Sequence, residues 1–119
     1  MAQSIRGPRA GRVRVTSCRR TGRLNPRRPK GLRAGAVVLK PGACMEWHST
    51  RDREELLIVL EGWVELDVAT SRRTRRRRVP AGCAAFLGAR TEHRVLNRSA
   101  RPAAYVYVTA PAGLRGSVT

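Results

Sequence analysis

The sequence predicts an all-β fold, and three observations carry the prediction. Apolar residues arrive in short, β-branched-rich runs such as Ala36-Val37-Val38-Leu39 and Leu56-Leu57-Ile58-Val59-Leu60. Turn signals separate them, at Lys40-Pro41-Gly42, Glu61-Gly62 and Val79-Pro80-Ala81-Gly82. Trp63-Val64-Glu65-Leu66-Asp67-Val68 alternates with period two, and no segment shows the period of an amphipathic helix. About six to eight short strands with turns roughly every 8–12 residues suit a closed β-sandwich or barrel.

The elements follow in order. Residues 1–33 combine Gly, Pro and Arg without a sustained apolar period. They read as a basic extension, flexible or contributing an edge strand, with Val13 and Val15 able to pair. The barrel is expected over 34–111 and a tail over 112–119. Within the barrel, strands are expected at Ala36–Leu39, Met45–Thr50, Glu55–Leu60 and Trp63–Val68. Ala69–Arg78 is polar and basic, a loop leading into the returning strand. Ala84–Leu87, Arg94–Leu96 and Ala103–Thr109 complete the set.

With 119 residues, one domain is expected. No run of about 18 apolar residues occurs, which excludes a membrane-spanning helix. Arg6, Arg9, Arg12 and Arg14 mark the N-terminus, without the apolar stretch of about 7–15 residues that a secretory signal needs. An organelle transit peptide is the minor alternative. Cys18, Cys44 and Cys83 are odd in number and irregularly spaced, so free thiols in a reducing cytoplasm are expected. The charge is +17, from 25 basic and 8 acidic residues. All the acids lie between Glu46 and Glu92.

Two histidines organise the functional reading. His48 lies six positions beyond Gly42, with Thr50, Glu55 and Gly62 at the following positions of the same pattern. Gly82, His93 and Asn97 form a second pattern, with steps of eleven and then four residues. Together these resemble the two signatures of the cupin family: glycine, His-x-His, glutamate and glycine, then glycine, histidine and asparagine. The resemblance covers Gly42 to Asn97 and implies a double-stranded β-helix, the jelly-roll barrel. Thr50 stands where the family has its second histidine, and Gly88 and Arg90 stand in place of its proline and glycine. Carried over residue by residue, the resemblance implies that His48, Glu55 and His93 hold a divalent metal, with one ligand missing.

Strand geometry agrees with that reading. Glu46, His48 and Thr50 share one face of an extended segment, as do Glu55, Leu57 and Val59 on the next. Two imidazoles and a carboxylate leave open positions suited to Fe, Mn, Ni or Zn. On this register, Thr50 is expected to hold a metal-bound water and Glu46 to act as a general base at the mouth; both are candidate catalytic residues. Trp47, Phe86, Tyr105 and Tyr107 are the candidate substrate pocket. Asn97 is expected to make a structural side-chain bond in a turn. The alternative is a vestigial site whose histidines are packing residues.

Arg72, Arg73, Arg75, Arg76, Arg77 and Arg78 crowd one segment. They form either a solvated hairpin or a nonspecific nucleic-acid patch; no aromatic residue interleaves with them. Three function classes result: a metal-dependent enzyme of dioxygenase, isomerase or lyase type; a small-ligand-binding or sensor protein; and a basic nucleic-acid-associated protein. A homodimer is expected, because an open sheet edge on a small monomer invites association.

Overall fold

Alternation becomes geometry in the computed structural model, which describes residue 11 and residues 13–113. Nine strands follow one another, with no helix among the described residues. They are β1 (Gly22–Arg23), β2 (Arg33–Leu39), β3 (Cys44–Ser49), β4 (Arg53–Glu61), β5 (Trp63–Ala69), β6 (Thr74–Pro80), β7 (Ala84–Leu87), β8 (Glu92–Leu96) and β9 (Ala103–Pro111). The strands make two antiparallel sheets, β1-β2-β9-β4-β7 and β3-β8-β5-β6. This is an all-β jelly-roll. Arg6, Arg9, Arg12 and residues 114–119 of the tail lie outside the described residues.

The core forms where the inner faces of the two sheets meet. Val37 and Leu39 of β2, Leu57 and Val59 of β4, and Tyr105 of β9 are buried there. Val64 and Leu66 of β5, Val79 of β6, Leu87 of β7 and Val95 of β8 join them. Each comes from the apolar phase of a period-two run, so burial follows from the pleat. Fully burying such an aliphatic side chain contributes about 1.5–3 kcal/mol.

Residues 74–80 form a complete strand rather than a loop with a short strand start. Thr74 to Pro80 pair along the whole of β5, with Leu66 opposite Arg77 and Val68 opposite Arg75. The backbone ladder decides this, since paired amides and carbonyls outweigh the polar composition. Pairing also divides the arginine run. Arg76 lies 3.6 Å from Asp67 and 3.8 Å from Glu65, and Arg78 stacks over the Trp63 ring at 3.7 Å. Arg75 and Arg77 take the opposite phase. Arg72 and Arg73 lie in the intervening turn, where the Thr70 hydroxyl donates to the Arg73 carbonyl. Asp67 is fully buried and is anchored by Arg94 Nε at 3.0 Å.

The segment before the barrel is tied to it. Gly22 pairs with Ala36 and Arg23 with Gly35. The Asn25 carboxamide oxygen accepts from the Ala34 amide at 2.8 Å. Arg53 reaches across to donate to the Gly31 carbonyl. The extension therefore forms the sheet edge and, as described below, a wall of the site.

Two glycines answer to packing. At Gly62 the backbone takes φ +71, and a Cβ would press on the Pro102 carbonyl at 2.9 Å. At Gly35 a Cβ would collide with the ring of Tyr107, which lies flat across the strand. Gly35→Ala is expected to cost about 1–3 kcal/mol in urea unfolding by displacing that ring. Unchanged stability would mean that the ring moves aside freely.

Candidate metal centre

Three strands deliver three donors to one point. His48 on β3 sits directly opposite His93 on β8, and Glu55 on β4 comes from the facing sheet. The donor atoms of His48, Glu55 and His93 all lie within 4.8 Å of one another. The imidazole centroids are 4.3 Å apart, tilted by 57°. Donors this close together are what a single divalent ion would need.

Both rings are oriented by their own backbone. His93 Nδ1 lies 3.0 Å from the Thr91 carbonyl, and His48 Nδ1 lies 2.7 Å from the Glu46 carbonyl. A carbonyl only accepts, so each Nδ1 carries the proton and each Nε2 offers a lone pair. This is the arrangement that prepares a histidine to ligate.

His93 shows the consequence. Its side chain is fully buried, and Nε2 has no hydrogen-bond partner. Glu55 Oε1 lies 3.9 Å away, too far to hydrogen-bond it. Burial pushes the His93 imidazole below its ordinary value, opposed by its bond to the Thr91 carbonyl, while the nearby His48 pushes it down. Burial pushes the Glu55 carboxyl upward, partly offset by His48. Both groups are thus biased to neutrality, so their separation is not that of a formed ion pair. A divalent cation would satisfy the orphaned nitrogen and restore the carboxylate charge together. The donor set fits such an ion.

A cavity of about 750 Å³ opens over the centre. Tyr105 and Tyr107 line it, as do Met45 and Val95. Trp47 and Phe86 do not. Trp47 stacks outside under Arg94, whose guanidinium carbon is 5.0 Å from the ring, and Phe86 is 65% exposed on the outer face. Phe86 pairs with Leu56, in the phase opposite to buried Leu87.

The expected alternation through Glu46, His48 and Thr50 is interrupted. A β-bulge lies between Met45 and His48, and it brings Met45 as well as His48 to the cavity. The Glu46 side chain is exposed and absent from the lining. Its carbonyl, rather than its carboxylate, serves the site through His48. Thr50 lines the cavity, but its hydroxyl donates to the Gly88 carbonyl at 2.7 Å and accepts from the Thr91 amide at 3.0 Å. The structure assigns that hydroxyl to the backbone instead of a metal-bound water. Since Thr91 in turn holds the His93 ring, Thr50 positions a ligand from one step away.

The second motif closes the same end. Arg90 adopts φ 56, a left-handed conformation, at the position where the family has glycine. Its amide donates to the Arg51 carbonyl at 2.7 Å, and Arg51 is itself left-handed. Asn97 is fully buried, donates to the Leu39 and Arg101 carbonyls, and accepts from Ser99.

The family model of the cupin domain matches residues 35–109, which contain all three donors. The chain belongs to the cupin family. Among solved structures, this cupin is similar to the TT1209 protein from Thermus thermophilus, at 27% identity and TM-score 0.65. That match covers 81% of this chain and 85% of the other. The Schizosaccharomyces pombe Cnp3 cupin domain aligns at 15% identity and TM-score 0.67, covering 76% and 63%. An oxalate oxidase in complex with the substrate analogue glycolate aligns at 20% identity and TM-score 0.63, covering 70% of this chain but 43% of its own. The chain thus spans less than half the length of that oxidase. Curated proteins give no match to the chain.

Thr50→Val is expected to lower metal affinity about tenfold or more by freeing Thr91 and hence the His93 ring. Metal titration by calorimetry checks this, and an unchanged affinity would remove the positioning role. In the metal-free protein, the lowered His93 titration makes stability fall as pH drops below about 6.5, where the unfolded chain takes up a proton that the folded one refuses. His93→Ala should abolish that component of the acid-limb slope in pH-dependent urea melts.

Proposed function

We propose that this cupin binds one divalent metal through His48, Glu55 and His93 and uses it to bind or transform a small molecule in the cavity above. The observation that carries the reading is the buried, partnerless Nε2 of His93, aimed at a buried carboxyl and beside a second imidazole with a free lone pair. Leaving such an atom unsatisfied costs about 1–3 kcal/mol, which ligation removes. A hydrophobic replacement would avoid the cost, so a packing role explains the residue poorly.

When bound, the ion supplies Lewis acidity and exchangeable positions, because three protein donors do not complete its coordination. The chain's own residues supply the rest. The Glu46 and Thr91 carbonyls hold the imidazole orientations, Thr50 holds Thr91, and Tyr105 and Tyr107 form an aromatic wall. Fe, Mn, Ni and Zn all suit the donor set. Oxidase, decarboxylase and non-catalytic binding roles all suit an open triad of this kind, and the wall rather than the triad decides among them.

We also propose that two copies pair through the outer face of the five-stranded sheet. Leu56, Ile58, Ala84, Phe86, Val106 and Val108 are cross-strand neighbours on that face, with no charged residue between them. Glu65, Asp67 and the arginines 76 and 94 paired with Asp67 belong to the other sheet, and Glu54 stands at the edge of the apolar patch. Such a patch on a highly charged chain fits a second copy of itself.

Metal analysis of protein purified without chelator is expected to find about one equivalent per chain, lost in His93→Ala. Added metal at a hundredfold excess over Kd should stabilise the wild type by about 2.7 kcal/mol, and Glu55→Gln should abolish that gain. A wild type that binds none of the four ions would overturn the reading. Light scattering should give about twice the 13.2 kDa chain mass, and Phe86→Glu should halve it. A wild type at chain mass across all concentrations would remove the pairing.

A further inference from the structure

We propose that the mouth of the metal cavity recognises a small organic carboxylate, gripped by Arg23, Arg27 and Arg33 from the segment ahead of the barrel. This deepens the metal-site reading and rests on it for the cavity's role.

Strand register supplies the first support. Val37 and Leu39 mark the inward phase of β2, and Arg33 shares that phase. Arg33 pairs with Thr109, on the same inward phase as Tyr105 and Tyr107. Arg23 pairs with Gly35, which is also inward. The pleat that buries the core thus directs two arginines inward at the metal end of the sheet. Arg27 joins them from the loop after β1, and all three line the cavity.

Charge gives the second support. Arg23, Arg27, Arg33, Arg51 and Arg53 line the cavity against only two acids, Asp52 and Glu55. Glu55 is claimed by the metal. Among the described residues, every Arg–carboxylate pair involves Glu65 or Asp67 on the other sheet. Arg53 is already committed, with Nε donating to the Thr109 hydroxyl at 2.9 Å and Nη2 to the Thr109 and Gly31 carbonyls. It braces the wall. Arg23, Arg27 and Arg33 have no carboxylate partner among the described residues, and their planar donor forks match a carboxylate.

Chemistry of the floor narrows the ligand. Tyr105, Tyr107, Met45 and Val95 offer carbon surface below the guanidinium groups. A volume of about 750 Å³ holds an organic molecule with room to spare. A carbon-bearing anion uses both the apolar floor and the cationic rim, whereas a bare inorganic anion uses only the rim.

The test is calorimetric titration of the full chain, metal-free and Mn(II)-loaded, with succinate, its neutral diamide and inorganic phosphate. Succinate is expected to bind at least about tenfold tighter than either comparator in both forms. Arg23→Gln/Arg27→Gln/Arg33→Gln should lose at least about tenfold for succinate without weakening Mn(II) binding, since removing positive charge does not disfavour a cation. Circular dichroism verifies that the variant is folded. Arg72→Gln/Arg75→Gln/Arg77→Gln removes equal charge elsewhere and should keep succinate affinity. Equal binding of diamide or phosphate, equal loss in the distal variant, or no loss in the cavity variant would each overturn the proposal. Succinate bound through these arginines to a chain that takes up none of Fe, Mn, Ni and Zn would support the grip while refuting the metal reading.

Discussion

Two hydrogen bonds, from the imidazole Nδ1 atoms to carbonyls two residues earlier, govern the site. They fix the tautomer of His48 and His93, and the rest of the centre is arranged so that they persist. The Thr91 carbonyl is in place because Thr91 is held through its amide by Thr50 and through its hydroxyl by Gly88. The Glu46 carbonyl is in place because a β-bulge turns the strand just before His48. Remove either support and the corresponding Nε2 would point elsewhere, whatever the barrel around it did. The two imidazoles are thus aimed by backbone carbonyls, one of them held in turn by the Thr50 and Thr91 hydroxyls, and not by a further ring of charged residues.

Charge is distributed with similar economy. On the four-stranded sheet, Glu65 and Asp67 take up Arg76, Arg94 and Arg98. Asp67 is fully buried, and two guanidinium groups offset the desolvation that would otherwise make a lone carboxylate there costly. The five-stranded sheet carries an apolar outer stretch around Leu56 and Ile58, bordered by Glu54, and an inner end rich in arginine. One sheet therefore neutralises cations while the other exposes them at the cavity.

Much of this was legible in the sequence because the pleat converts spacing into direction. Two separated motifs put His48, Glu55 and His93 on inward phases, and the structure gathers them. The turn glycines at 42, 62 and 82 all take positive φ. What the alternation could not supply was its own interruption. No residue type announces the bulge before His48, so Glu46 read as a partner in the cavity when its side chain lies outside. Thr50 read as the holder of a metal-bound water because it stands at a donor position of the motif, while its hydroxyl is captured by a loop 41 residues away in sequence. Phe86 read as pocket lining from its aromaticity alone, although its phase, opposite to that of Leu87, directs it outward. The wall before the barrel was illegible for another reason. Its contribution depends on pairing with β2 and on the reach of Arg53, both long-range contacts that local composition does not encode.

The Gly31 and Asn25 bonds give that wall a particular status. It is fastened to the barrel by a two-residue strand and by a few side-chain bonds, and it contains none of the three donors. Residues 22–33 thus supply neither the donors nor the Glu46 and Thr91 carbonyls that aim the imidazoles. Substitutions among those residues alter the mouth of the cavity without removing any of the three donors.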